Sequence, residues 1–365
     1  PGIFMRHRDD EAHNAASNDP TEDFLEIFEF DVDWANPDNS TFTGPFAIPV
    51  SEFDSELCGF FSFSCMDQPG TSTQLDPLRE VVMWRLQYRN FGSHEALIGN
   101  LVTDVTGNDV GGIRWFELRK SSGADWELFQ EGTYSLDTDD RFMGSISQDS
   151  AGNIAVGYSV SGSSTFPALR YTGRLAIDPA GVMTQPETSL IEGTGSNNSN
   201  RWGDYSSMNV DPIDDCTFWY TNEYSLESGQ WTTQIGSFRF DACGEPGFTL
   251  SAPGLSAAVC AGVDSESLNI NVGQIQEFTG PVTLALAGEP AGVNAVFDPN
   301  PVTPPGATTG LISTADTVAS GEYLFSILGT APKADNRELP VTLTVTNGVP
   351  TMPALVSPAD GAIDQ

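Results

Sequence analysis

One stretch of this chain occurs twice. Ser145-Ile-Ser-Gln-Asp149-Ser-Ala-Gly152-Asn153-Ile-Ala-Val-Gly-Tyr158 lies without a gap on Ser207-Met-Asn-Val-Asp211-Pro212-Ile-Asp214-Asp215-Cys216-Thr-Phe-Trp-Tyr220, an offset of 62 residues. An Arg-aromatic pair precedes each copy, Arg141-Phe142 and Arg201-Trp202. Each copy reads as strand, tight turn, strand, because Pro212 fixes φ and the Asp side chains accept from nearby N–H groups. A strand-built unit recurring at this spacing suggests a propeller.

The flanking sequence extends the plan. Strands are expected over 2–7 and 24–34, with a polar loop between them. The second alternates so regularly that one face must be packed and the other wet. Four more are expected over 81–89, 96–105, 112–119 and 126–134, one complete blade. Residues 142–148, 154–160, 168–175 and 188–192 repeat it, and the stretch from Arg201, then 216–223 and 231–240, gives a last unit. At Cys243-Gly-Glu-Pro246 the composition changes. Aromatics thin out, and seven short alternating strands, Val282-Thr-Leu-Ala-Leu-Ala287 among them, describe an immunoglobulin-like sandwich.

The expected fold is therefore all-β: a β-propeller over 1–245 with about four blades visible, then an Ig-like β-sandwich over 246–348. Residues 349–365 read as a linker and the first strand of a further module. The chain opens in mid-pattern, without an initiator Met or signal peptide, so further blades upstream and a processed or excised chain are expected.

Charge narrows the partners. Fifty acidic residues against 15 basic ones leave a formal charge of −35, which repels phosphate backbones and argues against nucleic-acid binding. It suits solubility in a salty extracellular medium, and clustered carboxylates also suit Ca²⁺. No apolar run is long enough for a membrane-spanning helix. Cys58 with Cys65 and Cys216 with Cys243 form local pairs that fit an oxidising compartment, with Cys260 as an alternative partner of Cys243.

Several segments together resemble a family of large secreted bacterial proteins. They are Asp76-Pro-Leu-Arg-Glu-Val-Val-Met-Trp84 through Glu95, Gly152-Asn-Ile-Ala-Val-Gly-Tyr158, Arg170-Tyr171-Thr-Gly-Arg174 and Arg201-Trp-Gly-Asp-Tyr-Ser-Ser207. Members of that family carry a sialidase-like, Asp-box-type propeller followed by Ig-like and fibronectin type III modules. Phe297-Asp-Pro-Asn-Pro-Val-Thr-Pro-Pro-Gly306 is similar to a segment of such Ig-like modules, and Leu355-Val-Ser-Pro-Ala-Asp-Gly-Ala362 to fibronectin type III openings. The resemblance implies secretion and modular surface architecture, without an assigned reaction.

Four sets of candidate site residues follow. A sialidase plan would recruit Arg141, Arg170 and Arg201 to a sugar carboxylate, with Tyr205 and Glu95 as the reacting pair and Asp204 as the further acidic residue. Against it, Arg141 and Arg201 recur at equivalent strand starts, as residues bonding blade to blade would. The Ser147-x-Asp149 turn resembles an Asp-box with one extra residue before its Gly, and that box is a structural turn. Asp137, Asp139 and Asp140 are the candidate Ca²⁺ ligands, although no twelve-residue EF-hand pattern is present. His7 and His13 share an acidic region with Asp9, Asp10 and Glu11, which suits metal or acid–base work. For a ligand surface, Arg201, Trp202, Tyr205 and His94 are the candidates, although most propeller tryptophans should be inter-blade core. No Gly-x-Ser-x-Gly elbow occurs. The favoured reading is a secreted, non-catalytic recognition or assembly platform for an extracellular glycan, a protein subunit or a second copy of itself. A sialidase-type glycoside hydrolase and a structural subunit are the alternatives.

Overall fold

The computed structural model describes residues 2–13, 22–59, 62–121, 123–244, 246–263, 265–275 and 278–346. The expected further module at 349–365 lies outside them. The chain is all-β, with all but one of the described strand pairs antiparallel, and no described helix is long and apolar enough to cross a membrane.

Four sheets come first. β1 (Gly2–Arg8), β2 (Asp23–Asp31) and β3 (Thr41–Val50) form one in sequence order. β4 (Gln87–Asn90), β5 (Glu95–Asp104), β6 (Gly111–Lys120) and β7 (Glu127–Tyr134) form the second. The third contains β8 (Asp140–Gln148), β9 (Ile154–Ser161), β10 (Ala168–Arg174) and β11 (Thr188–Ile191); the fourth contains β12 (Ser207–Val210), β13 (Phe218–Ser225) and β14 (Trp231–Phe238). Each is a plain up-and-down meander.

The sheets stack face on face. β5 is buried without interruption from Ala96 to Thr103, rather than on alternate residues, because both its faces are covered. Leu97 and Leu101 meet Leu25 and Ile27 of the first sheet, while Ile98 joins Ile113 and Trp115 against Ile146 and Val156 of the third. Ala155 and Leu169 then meet Met208, Phe218 and Tyr220 of the fourth. Burying each such side chain stabilises the stack by about 1.5–3 kcal/mol. Only glycine fits at 157, since a Cβ there would lie 2.6 Å from the Tyr220 ring.

β4, β8 and β12 each lie at an edge of their sheet. The Arg89 Nε donates to the Gln148 carbonyl (2.9 Å), Arg85 Nη2 to Asn209 Oδ1 (2.8 Å) and Gln87 Nε2 to the Met208 carbonyl (2.9 Å). The first strands of the second, third and fourth sheets thus lie close together. Closure into a ring is not seen among the described residues. The outer face of the first sheet leaves Phe4 and Phe42 exposed, and that of the fourth leaves Trp219, Trp231 and Ile235 exposed. What stands is an open stack of four sheets.

Within the stack, local expectations fail in three places. The strand expected over 81–89 is regular only in β4, because positive φ at Leu78 and Glu80 turns the chain and the Met83 N–H donates singly to Asn100. β3 was not expected: Pro45 and Pro49 interrupt its pattern, yet it is an edge strand, where proline is tolerated. The stretch from Arg201 to Ser206 is irregular, anchored by buried Trp202.

The sandwich packs the sheet β15 (Gly247–Ser251), β17 (Ser265–Ile275), β20 (Gly306–Thr314), β19 (Val293–Asp298) on the sheet β16 (Ser256–Cys260), β22 (Ala334–Thr346), β21 (Gly321–Ala331), β18 (Thr283–Ala287). One core containing Phe248, Ile270, Ile312, Ile327 and Leu343 joins them. β16, absent from the expected seven strands, runs parallel to β22. The sandwich is docked on the second sheet: Ser93 Oγ lies 2.7 Å from Thr249 Oγ1, and Phe129 packs against the sandwich core. Cys58 is bonded to Cys65, and Cys216 to Cys243; Cys260 Sγ instead lies 3.4 Å from Thr346 Oγ1.

Candidate functional site

The expected arginine cluster exists in part, and it is closed. Arg141 is the second residue of β8, Tyr158 lies on β9 and Arg170 on β10, where Tyr158 and Arg170 are cross-strand partners. Glu187, just ahead of β11, reaches all three. Its Oε1 accepts from Arg141 Nε at 2.9 Å and from the Tyr158 hydroxyl at 2.9 Å; its Oε2 accepts from Arg141 Nη2 at 3.3 Å and Arg170 Nη1 at 3.1 Å. Asp137 Oδ1 takes a further bond from Arg141 Nη1 at 3.0 Å, and Glu192 pairs with Arg170.

Arg141 is fully buried, and such a charge persists only when paired and hydrogen-bonded. Burial works against the Glu187 charge, but its arginine and tyrosine bonds hold its pKa below the usual range. Tyr158, desolvated beside that carboxylate, is pushed well above the usual phenol range and stays a donor. A fork that would clamp a sugar carboxylate is thus already filled by the protein's own glutamate.

The other candidates lie elsewhere. Arg201 pairs with Asp204 at 2.5 Å on an exposed loop, with the Tyr205 ring turned to solvent. Glu95 Oε2 accepts from the Tyr88 hydroxyl at 3.0 Å on the second sheet. The structure therefore does not gather Arg141, Arg170, Arg201, Asp204, Tyr205 and Glu95 into one constellation.

Two ligand-surface expectations are corrected. Trp202 is 1% exposed, packed with Phe142 and Met143, and its indole N–H donates to Ser159 Oγ at 3.0 Å; it is core. His94 is buried at the junction with the sandwich, stacked on Phe91, and burial with nearby Arg119 holds its pKa well below the usual range. It is a neutral structural histidine. Tyr205 and Arg201 remain exposed.

The three candidate calcium ligands are engaged separately. Asp137 bonds Arg141, Asp139 Oδ2 accepts from Thr165 Oγ1 at 2.6 Å, and Asp140 Oδ1 accepts from the Gly111 N–H at 3.0 Å. These carboxylates face different partners. A carboxylate from each of Asp9, Asp10, Glu11 and Asp23, by contrast, lies within 4.8 Å of the others. Asp9 is anchored by Ser55, and Asp23 by the Phe53 and Asp10 N–H groups. The bond from Asp10, with desolvation, pushes Glu11 up to about 7. Oxygen donors at this spacing are the type a hard cation takes. His13 Nδ1 accepts from the Asp9 N–H at 3.2 Å, and buried His7 packs against the His13 ring.

The repeated turns are structural. Asp149 Oδ1 accepts from the Ala151 and Asn153 N–H groups, and Asp214 Oδ1 from those of Cys216 and Thr217. The two turns touch, through Ser150 N–H to the Asp215 carbonyl at 2.9 Å. Arg89 holds Asp215 with two bonds, at 2.7 and 2.9 Å.

No protein-family model matches the chain, and no curated protein matches it. Among solved structures, domains 4 and 5 of the S-layer protein SbsC align at 14% identity over 35% of this chain and 64% of that one, with a TM-score of 0.21. SbsC domains 1–6 align at 11% identity over 90% and 45%, at 0.23. The human desmocollin-1 ectodomain aligns at 10% identity over 96% and 94%, at 0.21. The chain thus spans less than two thirds of either SbsC structure. All three likenesses are too weak to define a shared fold.

Proposed function

We propose that this is a secreted or cell-surface modular protein whose sheet stack, part of a propeller-like platform, recognises an extracellular glycan or protein partner without catalysis. The sandwich serves as a spacer. The observation that carries the reading is the pairing of both arginines within the protein: Glu187 fills the fork of Arg141 and bonds Arg170 Nη1, and Glu192 fills the fork of Arg170. Two disulfides fit the oxidising compartments in which such bonds persist. A sialidase-type hydrolase would need those arginines open to a sugar carboxylate. Calcium belongs to the proposal as a structural cation, with Asp9, Asp10, Glu11 and Asp23 as the fitting donors.

A second reading, a subunit of an extracellular assembly, is favoured by the uncovered aromatic end faces. Phe42 stacks on Phe28 at 5.5 Å and edges onto Phe4 and Phe30, an exposed cluster of the kind that marks interaction surfaces. A glycan array probed with the full chain, in Ca²⁺ and in chelator, with product analysis on every hit, tests both. Binding without turnover supports recognition. Release of a sugar overturns it, and an empty array together with concentration-dependent oligomers shifts the function to assembly.

A further inference from the structure

A cleft of about 510 Å³ opens to solvent between the first and second sheets. Its volume falls in the range of about 300–1,000 Å³ that holds drug-sized ligands. Ile3 forms one wall, and Leu86, Leu97 and Trp126 the other. The half-exposed ring of Tyr88 stands among them. Three charged groups share the cleft. Glu95 and Lys120 are cross-strand partners on β5 and β6, and Lys120 Nζ reaches over to Glu29 Oε1 of the first sheet at 3.7 Å. The Tyr88 hydroxyl donates to Glu95 Oε2 at 3.0 Å, which fixes the ring. Burial and that carboxylate raise the phenol pKa, so the hydroxyl keeps its proton at neutral pH.

We propose that this cleft binds a short segment of a neutral oligosaccharide, an inference that rests on the recognition reading above and names its ligand class. Sugar rings present an apolar face to aromatic and aliphatic side chains, and a rim of hydroxyls to carboxylates and ammonium groups. The lining offers both. Two carboxylates against one ammonium leave the cleft net negative within a chain of −35, which disfavours sialate, uronate or sulfate groups. A purely apolar ligand would strand three charged side chains against hydrocarbon, at high cost.

The test uses the full chain, titrated calorimetrically with cellotetraose, chitotetraose, mannotetraose and 3′-sialyllactose. Saturable binding of at least one neutral probe is expected, with 3′-sialyllactose at least about 10-fold weaker. Tyr88→Phe removes the Tyr88–Glu95 bond and Glu95→Gln removes the carboxylate charge that strengthens it; each should weaken binding, by up to about 10-fold, as weakening or loss of a hydrogen bond to a charged group does. Trp231→Ala, on the far end face, should change nothing. The inference is overturned if no neutral probe binds, if both cleft variants bind as tightly as the parent, or if sialyllactose binds best. Array hits whose affinity survives Tyr88→Phe and Glu95→Gln would sink the cleft and leave the recognition reading standing. An empty array would remove both.

Discussion

Glu187→Gln should destabilise the sheet stack by about 3 kcal/mol. Glu187 receives four hydrogen bonds, two from Arg141 and one each from Arg170 and Tyr158. Arg141 has no solvent exposure, and its remaining carboxylate, Asp137, is itself half exposed. Breaking a buried ion pair by removing one partner costs about 3–5 kcal/mol, because the other charge is left uncompensated. A glutamine carbonyl still accepts at least one of the bonds, which places the loss at the lower end. That is a large share of the ~5–15 kcal/mol that holds a domain folded. Denaturant unfolding followed by tryptophan fluorescence reads it cleanly, since all seven tryptophans lie before residue 245 and the sandwich has none. Arg170→Gln is the internal comparison: Arg170 is partly exposed and also paired with exposed Glu192, so about 1 kcal/mol is expected. A Glu187→Gln midpoint within about 0.5 kcal/mol of the parent would refute the structural role. A stable variant that gains affinity for sialyllactose would show instead that Glu187 plugs an anion site.

Two further outcomes follow from the same geometry. Desolvation pushes Asp140 up to about 7 in the fold, against its ordinary 3.8 when unfolded, so between about pH 4 and 7 the native state holds a proton that the unfolded chain has released. Stability should therefore fall as pH rises through that window, by at most about 1.4 kcal/mol per pH unit from this group. Asp140→Asn keeps the acceptor for the Gly111 N–H and should flatten the slope in pH-dependent unfolding, whereas an unchanged slope would count against it. Millimolar Ca²⁺ should raise the melting temperature relative to chelator. Asp10→Asn with Glu11→Gln should abolish that rise while Asp137→Asn keeps it, and identical melting curves in calcium and chelator would dispose of the cation.

Much of the fold was legible because most strands of the stack carry complete patterns. β8 and β9 alternate or run apolar throughout, and the Asp149 turn between them closes on its own side chain. The gapless repeat nevertheless aligns its second strands two residues out of structural register. Ile146 pairs with Val156 across a turn of five residues, 149–153, whereas Met208 pairs with Tyr220 across seven, 211–217. A slip of two preserves which face each side chain takes, so the alternation hides it. Ring closure is another matter. Whether the first and fourth sheets meet depends on angles accumulated over four sheets, and no residue pattern within one sheet encodes that sum.

The site was legible only as a list of residue types. Arg141 and Arg170 stand out in the sequence because a basic residue is rare among 50 acidic ones, and rarity suggests a task. The task is set by Glu187, which belongs to no repeat and follows Gln185-Pro186 in an irregular connection. Its carboxylate comes to the arginines only when β11 pairs with β10, with Arg170 opposite Ser189. The same limit applies to the cleft: Glu29, Tyr88 and Lys120 come from three strands on two sheets, and their chemistry appears only once those sheets are stacked. Both features thus depend on side chains that tertiary packing brings together. One arginine pair is closed by such a partner, and one cleft stays open between two sheets. The physical difference between them, a filled fork against an unfilled apolar gap with polar ends, is what directs the functional reading from hydrolysis to recognition.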